Sequence, residues 1–518
     1  MRQRLPRGNT TVNSKETYDK LCSASREAVM LDRIQSLLEW DEQTKMPPAG
    51  GEYRAEQAAY MAGLAHQKKT APEIGEWLAA LSESDLATDP QSETGTVVRC
   101  LQRDYDKKTR LPQSLVEELT RMSVRGQQVW AEARANNDFA SFRPLLEKMV
   151  DLKRQEAAAL GFDRTPYDPL LDDYEPGAST ANVARVLKEL REALVPLVAA
   201  IAESPDRPDA SILARSYLIP AQKKFGTEVA SAIGFDFTAG RLDVTVHPFC
   251  TGLGPGDVRI TTRYDEHAFN DAFFGILHES GHGIYDQGLP REHYGLPTGE
   301  DVSLGIHESQ SRLWENQVGR SQAFWDHYYP AAQQAFPDAL GSVKQLEFYR
   351  AINDVRSSLI RVEADEITYN LHILIRFELE VALLEDDLQV IDLPAAWNEK
   401  YQHYLGITPP NDTQGVLQDV HWSAGLFGYF PTYALGNLYA AQFFAQADAD
   451  LGGLADQFRR GEFGALRDWL RKHIHAQGRR YTPGQLAERI TGKPLSHEPL
   501  IAQLTRKYSE IYRMRSAL

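Results

Sequence analysis

Two histidines four residues apart, with a glutamate directly after the first, stand in FFGILHESGHGIYD, residues 273–286. On an α-helix, residues four apart share a face. His278 and His282 can therefore turn ring nitrogens toward one ion. Glu279, one residue on, sits beside that ion without having to bind it, where it can take a proton from an attacking water. Two solvated histidines on an amphipathic helix would carry the same letters, so the metal reading needs a third ligand. VSLGIHESQSRLWENQ offers two candidates, His307 and Glu308. Glu308 follows His282 by 26 residues, enough for a turn and a returning helix. Two histidines and a glutamate make a zinc-type site with one position open for water.

These side chains need elements to aim them. Phe269, Phe273, Ile276 and Leu277 form an apolar stripe that predicts a helix through the motif, with Asp265 or Asn270 as its N-cap. Gly281 and Gly283 weaken that helix by about 1 kcal/mol each relative to alanine, and Gly281 leaves room for close packing. The helical period also runs from Leu21 to Trp40, through SLVEELTRMSVRGQQVWAEARANND and ANVARVLKELREALVPLVAAIAES, through RVEADEITYNLHILIRFELEVALLE from Arg361, and through the C-terminal EPLIAQLTRKYSEIYRMR. One region alternates instead. RLDVTVHPF and GDVRITTR read as strands, with CTGLGPG between them as the turn. The expectation is a mainly helical protein with a small β-hairpin just before the motif helix.

Composition bounds the rest. The chain has 518 residues, 42% hydrophobic and 25% charged, ordinary for a globular protein. Its net charge of −16 argues against a nucleic-acid or anionic-membrane surface. Cys22, Cys100 and Cys250 are odd in number and widely spaced, which speaks against a disulfide scaffold and for the cytoplasm. The N-terminus lacks the apolar segment of a secretory signal, and the longest apolar run is too short to span a bilayer. No Pro/Ser/Gly-rich linker divides the chain.

HPF at residues 247–249, DVRIT at 257–261, HESGH at 278–282, HESQ at 307–310 and GVLQDVHW at 415–422 occur in the order of the Taq-type, thermostable metallocarboxypeptidases. LLEWDEQTKMPPAGGEYRAEQ and IRVEADEITYNLHI look like that family as well. The resemblance covers the chain from about residue 15 onward, and residues 1–14 look like an extra polar tail, expected to be disordered. It implies one helical domain over 15–518, a saddle-like fold with a deep groove and usually a homodimer. It also implies release of C-terminal residues from peptides with broad tolerance, proline disfavoured. Carried over, the ligands of one divalent metal per subunit are His278, His282 and Glu308, and the catalytic base is Glu279. Zn²⁺ suits this donor set, and Co²⁺ or Mn²⁺ would also fit the family.

Peptide hydrolysis builds an oxyanion that a protein donor commonly helps to hold. Related helical zinc peptidases use a histidine and a tyrosine downstream of the third ligand. His421 and Tyr433 are favoured here, with Tyr429 as the alternative and a buried aromatic cluster as the competing explanation. A free C-terminal carboxylate calls for an arginine fork. Arg361 comes first and Arg259 second, against internal salt bridges for both. His247, ahead of Pro248, either contacts substrate or orients groups near the metal, and Asp257 is a supporting acid. Two rivals stand beside the carboxypeptidase: a helical zinc oligo-endopeptidase with the same chemistry, and a helical binding protein that has lost activity. The intact Glu279 and the full ligand set argue against the second.

Overall fold

The computed structural model describes residues 13–514. The expected tail lies outside the described residues except for Asn13 and Ser14. Asn13 caps the first helix, Ser14–Thr44, by accepting the Glu16 N–H. Helices dominate, with one small sheet. Among the described residues no helix is long and apolar enough to cross a membrane.

The chain forms two compact units. The first takes the chain up to Thr109 together with Pro290–Glu300 and Gln477–Arg480. Ser14–Thr44 packs along Gly51–Lys69 there, and Leu21, Ile74, Leu78, Leu81 and Val98 make its core. The second takes Arg110–Leu289, Asp301–Ala476 and the chain from Tyr481, and holds every residue singled out above for chemistry.

Within the second unit the motif helix runs Phe269–Gly288. Phe269, Phe273, Ile276 and Leu277 are all buried, as the stripe requires. Its start differs from expectation. The helix opens after Ala268 with no side-chain cap, because the Asp265 carboxylate instead accepts the His267 N–H at 2.7 Å and closes a local turn.

The sheet lies against this helix, but its pairing is not the expected hairpin. Strand β1 (Gly240–Val244) runs parallel to β3 (Asp257–Thr262), and β2 (Cys250–Gly254) pairs antiparallel with β3, in the order β1-β3-β2. The stretch expected as the turn is thus mostly a strand. Only Pro255 and Gly256 turn, Gly256 with φ of 88°. Thr261 anchors the register by donating its backbone N–H to the Phe249 carbonyl and accepting the Phe249 N–H on its hydroxyl.

A return helix, Leu304–Arg312, packs on the motif helix. Ser303 caps it, and the buried Glu175 accepts the Gly305 N–H at 3.2 Å. It continues as a π-helix, Leu313–Gly319, a winding often found at functional sites. The helix expected from Arg361 begins later, at Thr368, and runs to Leu384. Asp365 sets that start, accepting the N–H groups of Ile367 and Thr368 and the Thr368 hydroxyl. Arg361 therefore sits in a short 3₁₀ turn, Arg361–Glu363. A long helix, Pro431–Asp450, covers the return helix.

Candidate metal centre

The motif helix and the return helix approach closely because Gly281 has no side chain: a Cβ there would lie 2.6 Å from the Gln310 carbonyl oxygen and the Ser311 Cα. The approach brings His278, His282 and Glu308 together, with one potential ligand atom from each within 4.8 Å of the others. The Nε2 atoms of His278 and His282 lie 3.6 and 3.4 Å from Glu308 Oε2. Bonds of about 2.0–2.2 Å from nitrogen and oxygen to a tetrahedral ion would separate two ligand atoms by roughly 3.4 Å. The donor set fits a zinc-type ion in both chemistry and spacing.

Each candidate ligand is held from behind. His278 Nδ1 donates to Glu315 Oε2 at 2.9 Å, which leaves Nε2 for the ion. Glu308 Oε1 accepts from Arg312 Nε at 2.6 Å, and the Ser311 hydroxyl donates to Oε2 at 3.0 Å. A Cβ on Gly436 would come within 2.5 Å of Glu308 Cγ, so the covering helix presses the ligand from its other side. His282 Nδ1 is buried without a hydrogen-bond partner among the described residues. Its ring is fixed by His307, stacked on it with centroids 4.3 Å apart.

The electrostatics follow from burial and neighbours. Burial works against the Glu308 charge, but Arg312 and the two histidines outweigh it and hold its carboxyl well below the usual range. Burial likewise opposes the Glu315 charge, and Arg312 and His278 still bring it down to about 2. Burial pushes His282 down to about 3, so its ring is neutral and able to ligate. Burial pushes the Glu279 carboxyl up to about 7, with His278 pulling the other way. A carboxylate close to that value is suited to taking up and giving back a proton near neutral pH.

The remaining expected residues fall into three groups. His421, Tyr433 and Tyr429 cluster: His421 Nε2 is 3.3 Å from the Tyr433 hydroxyl, and the two tyrosine rings are 5.3 Å apart. Burial lowers His421 to about 4, leaving a neutral ring. Arg361 adjoins this cluster, its guanidinium 5.2 Å from the Tyr433 ring centre. It is only 6% exposed. Its Nε and Nη2 donate to Asp419 Oδ1 at 3.0 and 2.9 Å, and Nη1 donates to the Tyr369 hydroxyl. Arg259 forms a two-pronged pair with Asp257, both distances 2.9 Å. His247 is exposed, in the connection between β1 and β2.

Three side chains that the sequence did not single out support these groups: Glu315 and Arg312 beside the candidate ligands, and Asp419 beside Arg361. Arg312 and Glu315 stand four and seven residues after Glu308, one face of a continuing helix, and that spacing was a usable signal. Asp419 carried none. It gains its role from Arg361 and Arg376, which come from distant segments.

The chain matches the family model of Carboxypeptidase Taq (M32) metallopeptidases over residues 20–508. It is similar to "Thermostable carboxypeptidase 1" of Thermus thermophilus, with 48% identity over 96% of this chain and 99% of that one. "Carboxypeptidase 1" of Bacillus subtilis is 40% identical over 96% of this chain and 98% of the relative. The crystal structure of an M32 carboxypeptidase from Deinococcus radiodurans R1 superposes with a TM-score of 0.93 at 42% identity, covering 96% of this chain and 100% of that one. With matches that run nearly end to end, this chain belongs to the carboxypeptidase Taq (M32) family and is a metallocarboxypeptidase.

Proposed function

We propose that the enzyme removes single residues from the free C-termini of peptides, with His278, His282 and Glu308 holding one divalent ion, Zn²⁺ by preference, and Glu279 acting as general base. The observation that carries this is the convergence of His278 Nε2, His282 Nε2 and Glu308 Oε2 beside a buried Glu279. A bound ion would supply Lewis-acid polarisation and a nucleophilic water at neutral pH.

The chain's own groups do the rest. Glu279 takes the proton of the attacking water and returns it to the leaving amine. His421, neutral and beside Tyr433, donates to the developing oxyanion together with that tyrosine. Tyr429, packed against Tyr433, is the alternative donor. Arg361 reads the terminal carboxylate. A guanidinium has five N–H groups, and three of those on Arg361 are bonded to Asp419 and Tyr369, which leaves one on each terminal nitrogen. Its link toward the metal ligands runs through Tyr369, whose ring centre lies 4.5 Å from the Arg312 guanidinium. Arg259, matched to Asp257, is the second choice, and His247 offers an exposed contact for the substrate. Family membership supports broad side-chain tolerance with proline disfavoured, and a homodimer. The three free cysteines are consistent with the cytoplasm.

The test is a time course on a model peptide after chelation and after return of Zn²⁺, Co²⁺ or Mn²⁺. Residues released one at a time from the C-terminus, only with metal, are expected. Internal fragments, or turnover untouched by chelation, would overturn the assignment.

A further inference from the structure

Glu308 turns its two oxygens to different tasks. Oε2 faces the Nε2 atoms of both histidines and accepts the Ser311 hydroxyl. Oε1 is taken by Arg312 Nε at 2.6 Å. Arg312 then extends Nη1 to Glu315 Oε2 at 3.3 Å, the same oxygen that accepts from His278 Nδ1. His278, Glu308, Arg312 and Glu315 thus close a ring of contacts around one side of the candidate centre. The guanidinium is clamped in place over Tyr369, and Arg320 lies 3.5 Å from the other oxygen of Glu315.

A carboxylate with both oxygens free can ligate through one or through two. Two-oxygen ligation would fill the position that a hydrolytic site keeps open. A guanidinium is a rigid planar fork that can hold two carboxylates at a fixed separation, whereas a lysine ammonium is a single point on a flexible stem. We propose that Arg312 is a positioning residue of the metal centre: it occupies Oε1 so that Glu308 ligates through Oε2 alone, and through Glu315 it fixes the ring of His278. This rests on His278, His282 and Glu308 being the ligands.

The full-length protein is loaded with Co²⁺, whose visible absorption weakens as coordination rises from four to five or six. Wild type, Arg312→Met, Arg312→Lys and Glu315→Gln are compared for stoichiometry, spectrum and Co²⁺ affinity against a competing chelator. Arg312→Met is expected to bind one Co²⁺ with a clearly weaker absorption, because Oε1 is released. Arg312→Lys keeps the charge but not the fork, and is expected to shift the same way. Glu315→Gln leaves Oε1 occupied, so it should keep the wild-type spectrum while losing about 10–100-fold in affinity, the usual cost of an outer partner. Wild-type spectrum and affinity in Arg312→Lys would overturn the proposal, and that variant decides if circular dichroism shows Arg312→Met unfolded. Failure of wild type itself to bind one Co²⁺ would overturn the ligand assignment, and this proposal with it.

Discussion

His307 lies flat on His282, ring planes 14° apart, while its Nε2 sits 3.1 Å from Asp286 Oδ1. That bond commits His307 to Asp286, and against the cost of burial the carboxylate raises His307 to about 9. A cationic ring is a poor ligand. Glu308→Ala is therefore expected to lower metal affinity by more than the roughly 10–100-fold that loss of an outer partner costs. His307→Ala should lower it by less than about 10-fold, since only the stacking support is lost. Metal content and affinity, measured by chelator competition on both purified variants, check this. Equal affinity in Glu308→Ala and wild type contradicts the ligand set.

Glu279→Gln should bind metal as tightly as wild type and lose about 10²–10⁴-fold in kcat. Glutamine keeps the size of the side chain but has no lone pair basic enough to take the proton. Wild-type turnover by a metal-replete variant would exclude Glu279 as the base.

Gly436→Ala tests the pressure of the covering helix on Glu308. Alanine in a helix normally stabilises by about 1 kcal/mol relative to glycine. Here the new methyl would meet Glu308 Cγ at 2.5 Å and Cβ at 2.8 Å, and overpacking of this kind costs about 1–3 kcal/mol. The expected result is a lower melting temperature and weaker metal binding together. A higher melting temperature with unchanged metal affinity would show that Glu308 has room to move.

The sequence made the motif helix legible because two signals coincide there: the spacing of His278 and His282, and the stripe through Phe269, Phe273, Ile276 and Leu277. The sheet was half legible. Alternation marks β1 and β3, but β2 is glycine-rich, and its pairing with Asp257–Ile260 of β3, next to the Thr261–Phe249 bonds, is encoded by no local pattern. The late start of the helix at Thr368 depends on Asp365 competing for backbone N–H groups, a contest that periodicity alone does not resolve. The Arg361–Asp419–Arg376 cluster joins segments more than forty residues apart, and a single sequence carries no signal for such a pairing.

Glu380 predicts a pH dependence of stability. It is fully buried, accepts from Tyr167, Trp422 and the Gly428 N–H, and burial raises it to about 7 from an ordinary value of 4.5. The folded chain therefore holds this proton more tightly than the unfolded chain. The associated stability is present in full below about pH 4.5 and is lost as pH rises through about 7. At about 1.4 kcal/mol per unit the loss is on the order of 3 kcal/mol. Glu380→Gln has no proton to lose. The stability difference between wild type and this variant, from urea unfolding of the two proteins at pH 5 and pH 8, should shift against wild type at the higher pH. A difference independent of pH would show that Glu380 does not titrate in this window.

The role proposed for Arg361, reading the terminal carboxylate, predicts how the two ends of a peptide are told apart. The bonds of Arg361 to Asp419 and Tyr369 use three of the five N–H groups and leave one on each terminal nitrogen. Asp419 is also held by Arg376 at 2.6 Å, so removal of Arg361 does not strand a buried charge. Loss of one partner from a desolvated charged pair costs about 2–5 kcal/mol. Arg361→Ala should therefore cut kcat/KM for a free-acid peptide by at least about 30-fold, the factor that 2 kcal/mol represents. It should leave the slow cleavage of the same peptide with an amidated C-terminus nearly unchanged, because that substrate never used the charge. Both rates are measured on one peptide pair in wild type and variant. If the two substrates lose the same factor, Arg361 acts by holding Asp419 and Tyr433 in place, and Arg259→Ala on the same pair becomes the deciding measurement.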